Sequence, residues 1–459
     1  MPNHRTNNRT NERSHPISHR SSQPSVAVIG AGITGMTTAF RLQQQGYDVT
    51  VIERHRYAAM ETSFANGGQL SASNAEVWNS VGTMMKGLKW LFKADAPLLL
   101  NLKPSWHKYS WLAEFIAAVP HYRQNTIKTV ELALAARDSL LEMGRDAGVD
   151  CNFEHRGIMH FYKSKAEFDD ASKVTGLLRE GGLERIALSP DEAKAKEPSL
   201  NTKDVYGAFY TDSDFTGDIH KYTNGLAAAF RLRGGTLLTD TTVTDLAPDD
   251  EGVTIDYQTA DQPPHRQHYD AIVVCAGVGS RSLAQKLGDR VNVYPVKGYS
   301  ITVNLTDEAS QAAAPWVSLL DDRAKIVTSR LGVDRYRVAG TAEFNGYNRN
   351  IRMDRIKPLI AWCEEHHLGM STRDCVPWAG LRPMMPTMLP KVGPGRAPRV
   401  FYNTGHGHLG WTLSAATADM VTAHITAALP TDTSATTSPM TTEPVTIDTH
   451  KTMPTMAAE

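Results

Sequence analysis

The chain has 459 residues, of which 41% are hydrophobic and 21% are charged, and its formal net charge is −1. This length suits two or three domains, or one pair of domains that the chain crosses more than once. The near-neutral balance, without a basic run carrying interleaved aromatic residues, argues against a nucleic-acid partner. No apolar run reaches the roughly 20 residues that a membrane-spanning helix needs.

Both chain ends are predicted to be disordered. Residues 1–24 are polar and lack the apolar centre of a secretory signal, and nothing apolar is present to form the amphipathic face of a transit peptide. Residues 429–459 are rich in Thr, Pro and Ser and bury too little apolar area to offset chain entropy. The cysteines form no C-x-x-C pair, so neither a disulfide framework nor a zinc site is expected, and a reducing compartment fits best. They are Cys151, Cys275, Cys363 and Cys375.

The first predicted unit runs from Val26 to Arg54, "VAVIGAGITGMTTAFRLQQQGYDVTVIER". A β-branched strand, a G-x-G-x-x-G turn, an apolar helical face and a second strand ending in Glu53 follow one another. In such a unit the glycines permit a tight turn and a close pyrophosphate, and the acid accepts hydrogen bonds from a ribose diol. The unit predicts a dinucleotide site that disfavours NADP, because Glu53 repels a 2′-phosphate. An ordinary strand-helix-strand unit without a ligand is the bland alternative.

The middle of the chain changes pattern several times. Residues 76–145 carry apolar residues at helical spacing, and alternation after Gly148 predicts strands. Thr216 and Asp218 are candidate N-caps of a helix that stops at Gly234 and Gly235. A strand with a turn follows. The apolar run Ala271–Cys275 then predicts a second buried strand that ends in another glycine turn.

The last third of the chain alternates between strands and helices. Residues 291–345 alternate repeatedly, which predicts an antiparallel sheet, and a helix follows at "RIKPLIAWCEEHH". The segment "WAGLRPMMPTMLPKVG" is too rich in proline for a helix. A strand, "VFYNTG", and a glycine loop that leads into a helix complete the pattern.

Five motifs resemble those of the bacterial D-amino acid dehydrogenases, within the group of FAD-dependent D-amino acid oxidases and glycine oxidases. They stand in the family's order between Ser25 and Ile425. They are "FANGGQLS" (Phe64–Ser71), "KGLKWLFKADAPL" (Lys86–Leu98), "YPVKGYS" (Tyr294–Ser300), "GLRPMMP" (Gly380–Pro386) and "NTGHGHLGWT" (Asn403–Thr412).

The resemblance implies an α/β fold in which an FAD-binding Rossmann-like domain is interleaved with an antiparallel-sheet α+β substrate domain. We assign 25–80, 215–290 and 378–428 to the discontinuous FAD-binding domain, and 81–214 and 291–377 to the substrate domain. The opening glycines would hold the pyrophosphate of a non-covalent FAD, Glu53 the adenosine ribose and Val243 the adenine. The full set of implied cofactor residues is Val28, Ile29, Gly30, Ala31, Gly32, Ile33, Thr34, Gly35, Glu53, Arg54, Ala65, Asn66, Gly67, Gly68, Gln69, Val243, Ala276, Gly277, Gly407, His408, Leu409 and Gly410.

Arg382 resembles the arginine that pairs with the substrate carboxylate in this group, and a guanidinium fork suits a carboxylate on chemical grounds alone. A structural ion pair is the alternative role. The further pocket candidates are polar aromatics, and His406 and His408 lack the neighbouring acid or cysteine that a metal site needs. Where the family commonly has Asp after "R-P-x-x-P", this chain has Thr387. The pocket candidates are Tyr299, Tyr347 and His155, together with His406 of the glycine loop.

The resemblance implies oxidative deamination of D-amino acids to 2-oxo acids and ammonia, with hydride passing to flavin N5. Alternatives are an oxidase, a dehydrogenase of cyclic or N-methylated amino acids (D-proline, hydroxyproline, sarcosine or glycine), and an NAD-binding protein without redox activity. A dehydrogenase passes its electrons on, and the expected acceptor is a quinone, such as a membrane quinone, or another acceptor. Trp90–Leu112 mixes Trp, Leu and Lys, which suits peripheral contact with the inner membrane face as well as a helix packed on a core. The expected location is cytoplasmic.

Overall fold

A computed structural model describes residues 23–90 and 98–431, with the side chains of residues 86–90 left out. The two predicted disordered ends lie almost wholly outside these ranges. So does most of the motif Lys86–Leu98.

Helices occupy both halves of the described chain. The α-helices are α1 (Ile33–Gln44), α2 (Val81–Trp90), α3 (Trp106–Ala117), α4 (Tyr122–Asp146), α5 (Lys165–Glu180), α6 (Pro190–Lys196), α7 (Ile219–Leu232), α8 (Ser280–Lys286), α9 (Glu308–Ala313), α10 (Met353–His366) and α11 (Gly410–Ala428). Short 3₁₀ helices are found at Ala72–Asn74, Val119–His121, Gly277–Gly279 and Gly407–Leu409.

Strands alternate with these helices along the chain. They are β1 (Ser25–Ile29), β2 (Asp48–Ile52), β3 (Gln69–Leu70), β4 (Leu98–Leu100), β5 (Ile158–Tyr162), β6 (Ile186–Leu188), β7 (Gly207–Thr211), β8 (Phe215–Thr216), β9 (Thr236–Leu238), β10 (Thr241–Pro248), β11 (Val253–Thr259), β12 (His265–Tyr269), β13 (Ala271–Val274), β14 (Tyr294–Asn304), β15 (Ser318–Asp321), β16 (Ile326–Arg330), β17 (Arg335–Phe344), β18 (Val376–Met384), β19 (Lys391–Pro394) and β20 (Val400–Thr404).

The first sheet has the order β19-β20-β13-β1-β2-β9 within the described chain. All its pairs are parallel except the edge pair β19 and β20. Its central strands are apolar on both faces because both faces are covered. Helices α1, α4, α7 and α11 pack on one face, and the antiparallel sheet β10-β11-β12 packs on the other with α8.

The second sheet has the order β18-β14-β17-β16-β15-β5-β7-β6. Strand β4 pairs with residues 342–344 at the carboxyl-terminal end of β17, beyond the residues that pair with β16. Its pairs are antiparallel except β15 with β5 and β4 with β17. Helix α10 covers one face, where Ile356 and Leu359 join the core. The other face is turned toward the first sheet, and the predicted combination of a Rossmann-like sheet with a mainly antiparallel sheet is confirmed.

Two segments pack with a different sheet from the one that the predicted domain bounds assign to them. Strand β18, placed with the FAD-binding domain from residue 378 onward, pairs along its length with β14 of the second sheet. Helix α4, placed with the substrate domain, packs on α11 and contributes Ala136, Leu140 and Met143 to the core of the first sheet. The remaining domain bounds stay a prediction.

Candidate cofactor and substrate site

A cavity of about 860 Å³ lies between the carboxyl edge of the first sheet and the open face of the second. Residues from the glycine turn, from residues 65–69, from β18 and from the start of α11 line it together. This is the place where ligands bind in open α/β sheets, beyond the carboxyl ends of the strands.

The glycine turn after β1 is packed so tightly that side chains are excluded. Gly30 has φ +107° and its amide donates to Ile52 O at 2.8 Å. A Cβ on Gly35 would lie 1.8 Å from Gly30 O, and a Cβ on Gly30 would lie 2.8 Å from Cys275 O. Gly32 instead faces the cavity, where a Cβ would come only within 3.6 Å of Ser63 Oγ. The turn therefore brings bare backbone to the cavity wall.

The start of α1 opens onto this bare backbone. The N-cap residue of this helix, Gly32, has no side chain to cap it, and Ile33 and Thr34 line the cavity. Ser63 Oγ accepts a hydrogen bond from Ile33 N at 3.1 Å. The Ile33 amide therefore has a side-chain partner. Helix N-terminal amides without such a partner bind anions such as phosphates, so the rest of this turn suits a pyrophosphate.

Glu53 lies at the end of β2, where it is 8% exposed and lines the cavity. Its carboxylate accepts hydrogen bonds from the amides of Ala31 at 2.7 Å and His55 at 3.0 Å. These bonds hold the carboxylate at the cavity without neutralising it. Such an acceptor would suit a ribose diol, and this role of Glu53 stays a prediction. Arg54 also lines the cavity and pairs with Glu61.

Residues 65–69 form a strap held on the second sheet. Ser300 Oγ donates to Ala65 O at 2.8 Å, and Ser329 Oγ donates to Gly67 O at 2.6 Å. Gly68 has φ +70°, and its amide donates to Asn66 Oδ1 at 2.9 Å. Gln69, on the same strap, donates from Nε2 to Ser318 Oγ at 2.8 Å. All five residues line the cavity.

The rest of the predicted cofactor set is divided between the cavity wall and its support. Val243 and the second glycine turn, Ala276 and Gly277, line the cavity, as does Ile29. Three of the set lie behind the wall: Val28, Ala31 and Gly35 are buried and support the turn.

The loop before α11 brings two neutral histidines to the cavity. Burial lowers the pKa of His406 to about 3, and its Nε2 lies 2.9 Å from Thr417 Oγ1. Burial, with a smaller effect from the charge of Arg382, lowers the pKa of His408 to about 4. The His408 ring stacks on Trp78 at a centroid distance of 4.9 Å. Gly407, Leu409 and Gly410, from the same loop, complete this wall.

Arg382 places a positively charged side chain at the cavity, where an anionic ligand could bind it. It lies on β18, lines the cavity, and donates from Nη1 to Thr341 O at 3.0 Å. In the described part of the chain no carboxylate lies within 4.0 Å of its guanidinium. Burial lowers its pKa to about 10, so the group remains charged at neutral pH. A half-buried guanidinium without a carboxylate partner is stabilised by an anion such as a carboxylate.

The remaining pocket candidates have other contacts. Tyr299 borders the cavity, but its hydroxyl donates to Glu343 at 2.6 Å on the side of the sheet that α10 covers. Tyr347 is 51% exposed and His155 stacks on Phe215 at 4.7 Å, and neither lines the cavity. Thr387 is exposed, and its hydroxyl bonds only within its own turn, to Leu389.

Sequence reasoning missed several residues that line the cavity. Gly298 and Thr341 surround Arg382, and Asn74 and Trp78 surround His408. A glycine inside the strand pattern of "YPVKGYS" was the one available signal, because strand glycines often mark close approach. Among the described residues, no group of three or more His, Cys, Asp or Glu side chains is arranged to hold a metal ion.

Comparison with known protein families agrees with this geometry. The family model described as DAO, FAD dependent oxidoreductase, matches residues 25–424, which is nearly the whole described chain. The chain belongs to this family. It is an FAD-dependent oxidoreductase, and the helix start at Gly32, the bare glycine turn and Glu53 fit that cofactor. The alternative of an NAD-binding protein without redox activity is set aside.

Relatives of this DAO family member include named D-amino acid dehydrogenases. D-amino acid dehydrogenase 3 of Mesorhizobium japonicum is 57% identical over 410 residues, covering 89% of this chain and 98% of the relative. A D-amino acid dehydrogenase of Paramagnetospirillum magneticum is 38% identical and covers 85% of this chain and 92% of the relative. The resemblance inferred from the five motifs is thereby confirmed.

Solved structures of the DAO fold resemble this protein at low sequence identity. Glycine oxidase from Geobacillus kaustophilus has a TM-score of 0.66 at 20% identity and covers 88% of this chain and 95% of its own. L-proline dehydrogenase from P. horikoshii has a TM-score of 0.68 at 15% identity and covers 88% of this chain and 94% of its own. At this identity the likeness establishes the fold.

Proposed function

We propose that this DAO family member is a D-amino acid dehydrogenase, which oxidises D-amino acids to 2-oxo acids and ammonia. The observation that supports it most is Arg382, an un-neutralised guanidinium facing the cavity that also holds the cofactor residues. The 57% identical relative carries the same name. In this proposal Arg382 binds the substrate carboxylate and FAD is held non-covalently.

The protein groups supply binding and orientation. Arg382 fixes the carboxylate through paired charge-assisted hydrogen bonds, which limits rotation of the Cα–H bond. FAD, when bound, supplies the two-electron acceptor that takes the Cα hydride at N5. A substrate amine that binds neutral keeps both N–H protons and becomes a protonated imine as the hydride leaves, so no protein base has to remove a proton in that step. Water then hydrolyses the imine to the 2-oxo acid and ammonia.

The environment of the α11 loop favours reduction of a bound cofactor. Because His406 and His408 stay neutral, the loop adds no titrating charge near neutral pH. The start of α11 lacks a side-chain cap, so its amides and the positive helix end stabilise nearby negative charge. Gly407 to Gly410 are the residues we assign to that role.

Anaerobic mixing of the purified yellow protein with amino acids tests the proposed reaction. Bleaching of the flavin absorbance by D-alanine but not by L-alanine is expected. Bleaching by L-alanine alone, or by none of the D-amino acids tested, would contradict it. D-proline, hydroxyproline, sarcosine and glycine belong in the same series, because preferential bleaching by one of them would favour the alternative of a cyclic or N-methylated substrate.

We propose a quinone or other acceptor, rather than oxygen, as the destination of the electrons. In air, turnover with D-alanine and an artificial acceptor such as a quinone analogue should then release little peroxide. Without that acceptor, turnover in air should be slow. Stoichiometric peroxide at full turnover rate would identify an oxidase instead.

An exposed apolar face on α3 supports contact with a membrane. Trp106 is 79% exposed, Tyr109 48% and Ile116 56%, and they share one side of the helix. Leu102, just before the helix, is 77% exposed. The opposite side packs through Trp111, whose indole donates to Met384 O at 2.8 Å. Apolar and aromatic residues on one helix face are typical of interfacial helices. None of the described helices has the length and apolarity to cross a bilayer.

Vesicle flotation tests this contact. The wild-type protein should float with vesicles of phosphatidylglycerol and phosphatidylethanolamine, and a Leu102→Ser/Trp106→Ser variant should float less. Leu232→Ser is the control, since Leu232 is 89% exposed at the end of α7. A wild-type protein that stays entirely in the soluble fraction would contradict the membrane proposal and leave the deamination proposal unaffected.

A further inference from the structure

We infer that Gly298 and a bulge at Thr341 are positioning elements that hold the Arg382 guanidinium for a substrate carboxylate. The inference rests on the proposed role of Arg382 as the carboxylate ligand. It assigns work to two residues that touch Arg382 rather than the substrate.

The bulge lies where β17 pairs with β14. Lys297 is opposite Glu343, whereas Tyr299 is opposite Gly340. Two residues of β17, Thr341 and Ala342, therefore face the one residue left between them on β14, which is Gly298. An extra residue on one strand bends it and re-aims its backbone groups.

Thr341 has a backbone conformation that β-branched residues rarely adopt. Its φ is +60°, in the left-handed region. Its hydroxyl is buried without a hydrogen-bond partner, so the side chain does not repay this strain. Strained residues of this kind persist where the surrounding structure enforces them, often at functional sites. The feature that the conformation produces here is the direction of the Thr341 carbonyl.

That carbonyl accepts the hydrogen bond from Arg382 Nη1 at 3.0 Å. A neutral carbonyl fixes the orientation of the guanidinium and leaves its charge intact. A carboxylate in the same place would fix the orientation and also neutralise the charge. The other N–H groups of the fork remain for a ligand. The arrangement thus holds a cation ready for an anion.

Gly298 provides the space that this orientation needs. Arg382 is opposite Val296 on β14, and its side chain crosses the strand over Gly298. A Cβ on Gly298 would lie 2.3 Å from Arg382 Nη1 and 2.4 Å from both Cζ and Nη2. Real Cβ atoms essentially never come so close to another heavy atom. Any larger residue at 298 must therefore displace the guanidinium.

Contacts on the far face of the sheet keep the bulge in register. Lys297 is fully buried, and its Nζ lies 3.3 Å from Glu343 Oε2, across the bulge. Tyr299 donates to the same oxygen at 2.6 Å. A slip of one residue would separate these partners and turn each side chain to the other face. The bulge is therefore held on both sides of Thr341.

The first test is Gly298→Ala in the FAD-loaded enzyme. Benzoate serves as the carboxylate probe, followed through the flavin absorbance, and kcat/KM is measured with D-alanine. The benzoate Kd should rise and kcat/KM should fall by at least about tenfold, as expected when a charge-assisted hydrogen bond is misaligned. Gly176→Ala is the control, because a Cβ there meets nothing within 4 Å.

A double-mutant cycle separates displacement of Arg382 from general damage. On an Arg382→Met background, Gly298→Ala should change the benzoate Kd by less than about twofold, since the charged group that it displaces is absent. An equal loss on both backgrounds would overturn the inference, as would an unchanged Kd in a Gly298→Ala variant that retains FAD.

Substitutions at Thr341 provide a second route if Gly298→Ala fails to fold. Both variants keep the backbone carbonyl at 341. Thr341→Gly adopts the left-handed conformation without strain, whereas Thr341→Pro fixes φ at about −65° and cannot adopt that conformation. The glycine variant should bind benzoate at least about fivefold more tightly than the proline variant. Equal affinities would overturn the inference. A wild-type protein that binds benzoate but is not reduced by any D-amino acid would refute the proposed substrate and leave the positioning of Arg382 supported.

Discussion

Replacing Arg382 with lysine tests how the charge and the shape of the guanidinium share the work. Lysine retains the positive charge but has a single nitrogen in place of the planar fork. In the structure one N–H of Arg382 is already used by Thr341 O, at 3.0 Å. A lysine that makes this same contact cannot also offer a carboxylate two parallel hydrogen bonds.

The expected loss in kcat/KM follows from the number of hydrogen bonds to the carboxylate that lysine cannot make. At least one charge-assisted hydrogen bond to the carboxylate disappears, and such a bond contributes about 1.5–3 kcal/mol. At about 1.4 kcal/mol per factor of ten, kcat/KM should fall roughly ten- to a hundredfold in Arg382→Lys. Arg382→Met, which removes the charge as well, should lose more and should bind benzoate weakly.

Stopped-flow reduction by D-alanine under nitrogen measures this loss directly. The observed reduction rate at several substrate concentrations separates binding from the limiting rate of the chemical step. Flavin content and melting temperature serve as controls, because the Arg382 side chain bonds Thr341 O on the second sheet and its replacement should leave FAD bound.

A reduction in kcat/KM smaller than about threefold in Arg382→Lys would refute the reasoning, because it is below the contribution of a single charge-assisted hydrogen bond. Loss of flavin from Arg382→Lys would also contradict it, since that would make the residue part of the cofactor site.

Three further outcomes are expected. Glu53→Gln loses the carboxylate that the amides of Ala31 and His55 hold at the cavity, so FAD should dissociate about tenfold more readily, as measured by flavin released on ultrafiltration. His406 has a folded pKa of about 3 against an unfolded value of about 6.5, so the unfolded state binds more protons between these two pH values. The free energy of unfolding should therefore fall as the pH drops below about 6.5. Urea unfolding should show a smaller difference in this free energy between pH 7.5 and pH 5 in His406→Gln than in the wild type. Lys297→Met removes one cation from the buried carboxylate of Glu343, but Arg352 stays 3.6 Å from it, so the loss of stability should be smaller than the about 3–5 kcal/mol of an unpaired buried charge. Lys297→Met/Glu343→Leu should recover much of that loss in denaturant unfolding.

Local patterns predicted the parts of the fold whose physics is local. The unit from β1 to β2 was evident because a buried strand, a glycine turn and an amphipathic helix each leave a regular signature within thirty residues or so. Of the two predicted N-cap candidates, Asp218 caps α7, where its carboxylate accepts from His220 N at 3.0 Å and Lys221 N at 3.2 Å, whereas Thr216 lies in β8. Neither prediction needed knowledge of distant contacts.

The site depended on contacts between distant segments, which local patterns do not contain. "WAGLRPMMP" correctly excluded a helix, but whether β18 joins the first or the second sheet depends on its pairing with β14, about 80 residues earlier in the chain. The bulge at Thr341 has no sequence signature, because a threonine with positive φ is imposed by its surroundings. Tyr347 and His155 were polar aromatics in a strand region, and only tertiary packing directs such side chains toward or away from a cavity.

The order of strands in the first sheet has a consequence for how the protein is made. Strand β1 pairs with β2 within a few tens of residues, but its other neighbour, β13, pairs Ala271 with Val26, and β20 joins later still. On a ribosome the central strand must therefore wait, with one edge open, until most of the chain has been synthesised. Exposed strand edges invite pairing with other chains. Nascent chains truncated before residue 400 should consequently depend on chaperones, and FAD should bind only after the α11 segment has left the exit tunnel.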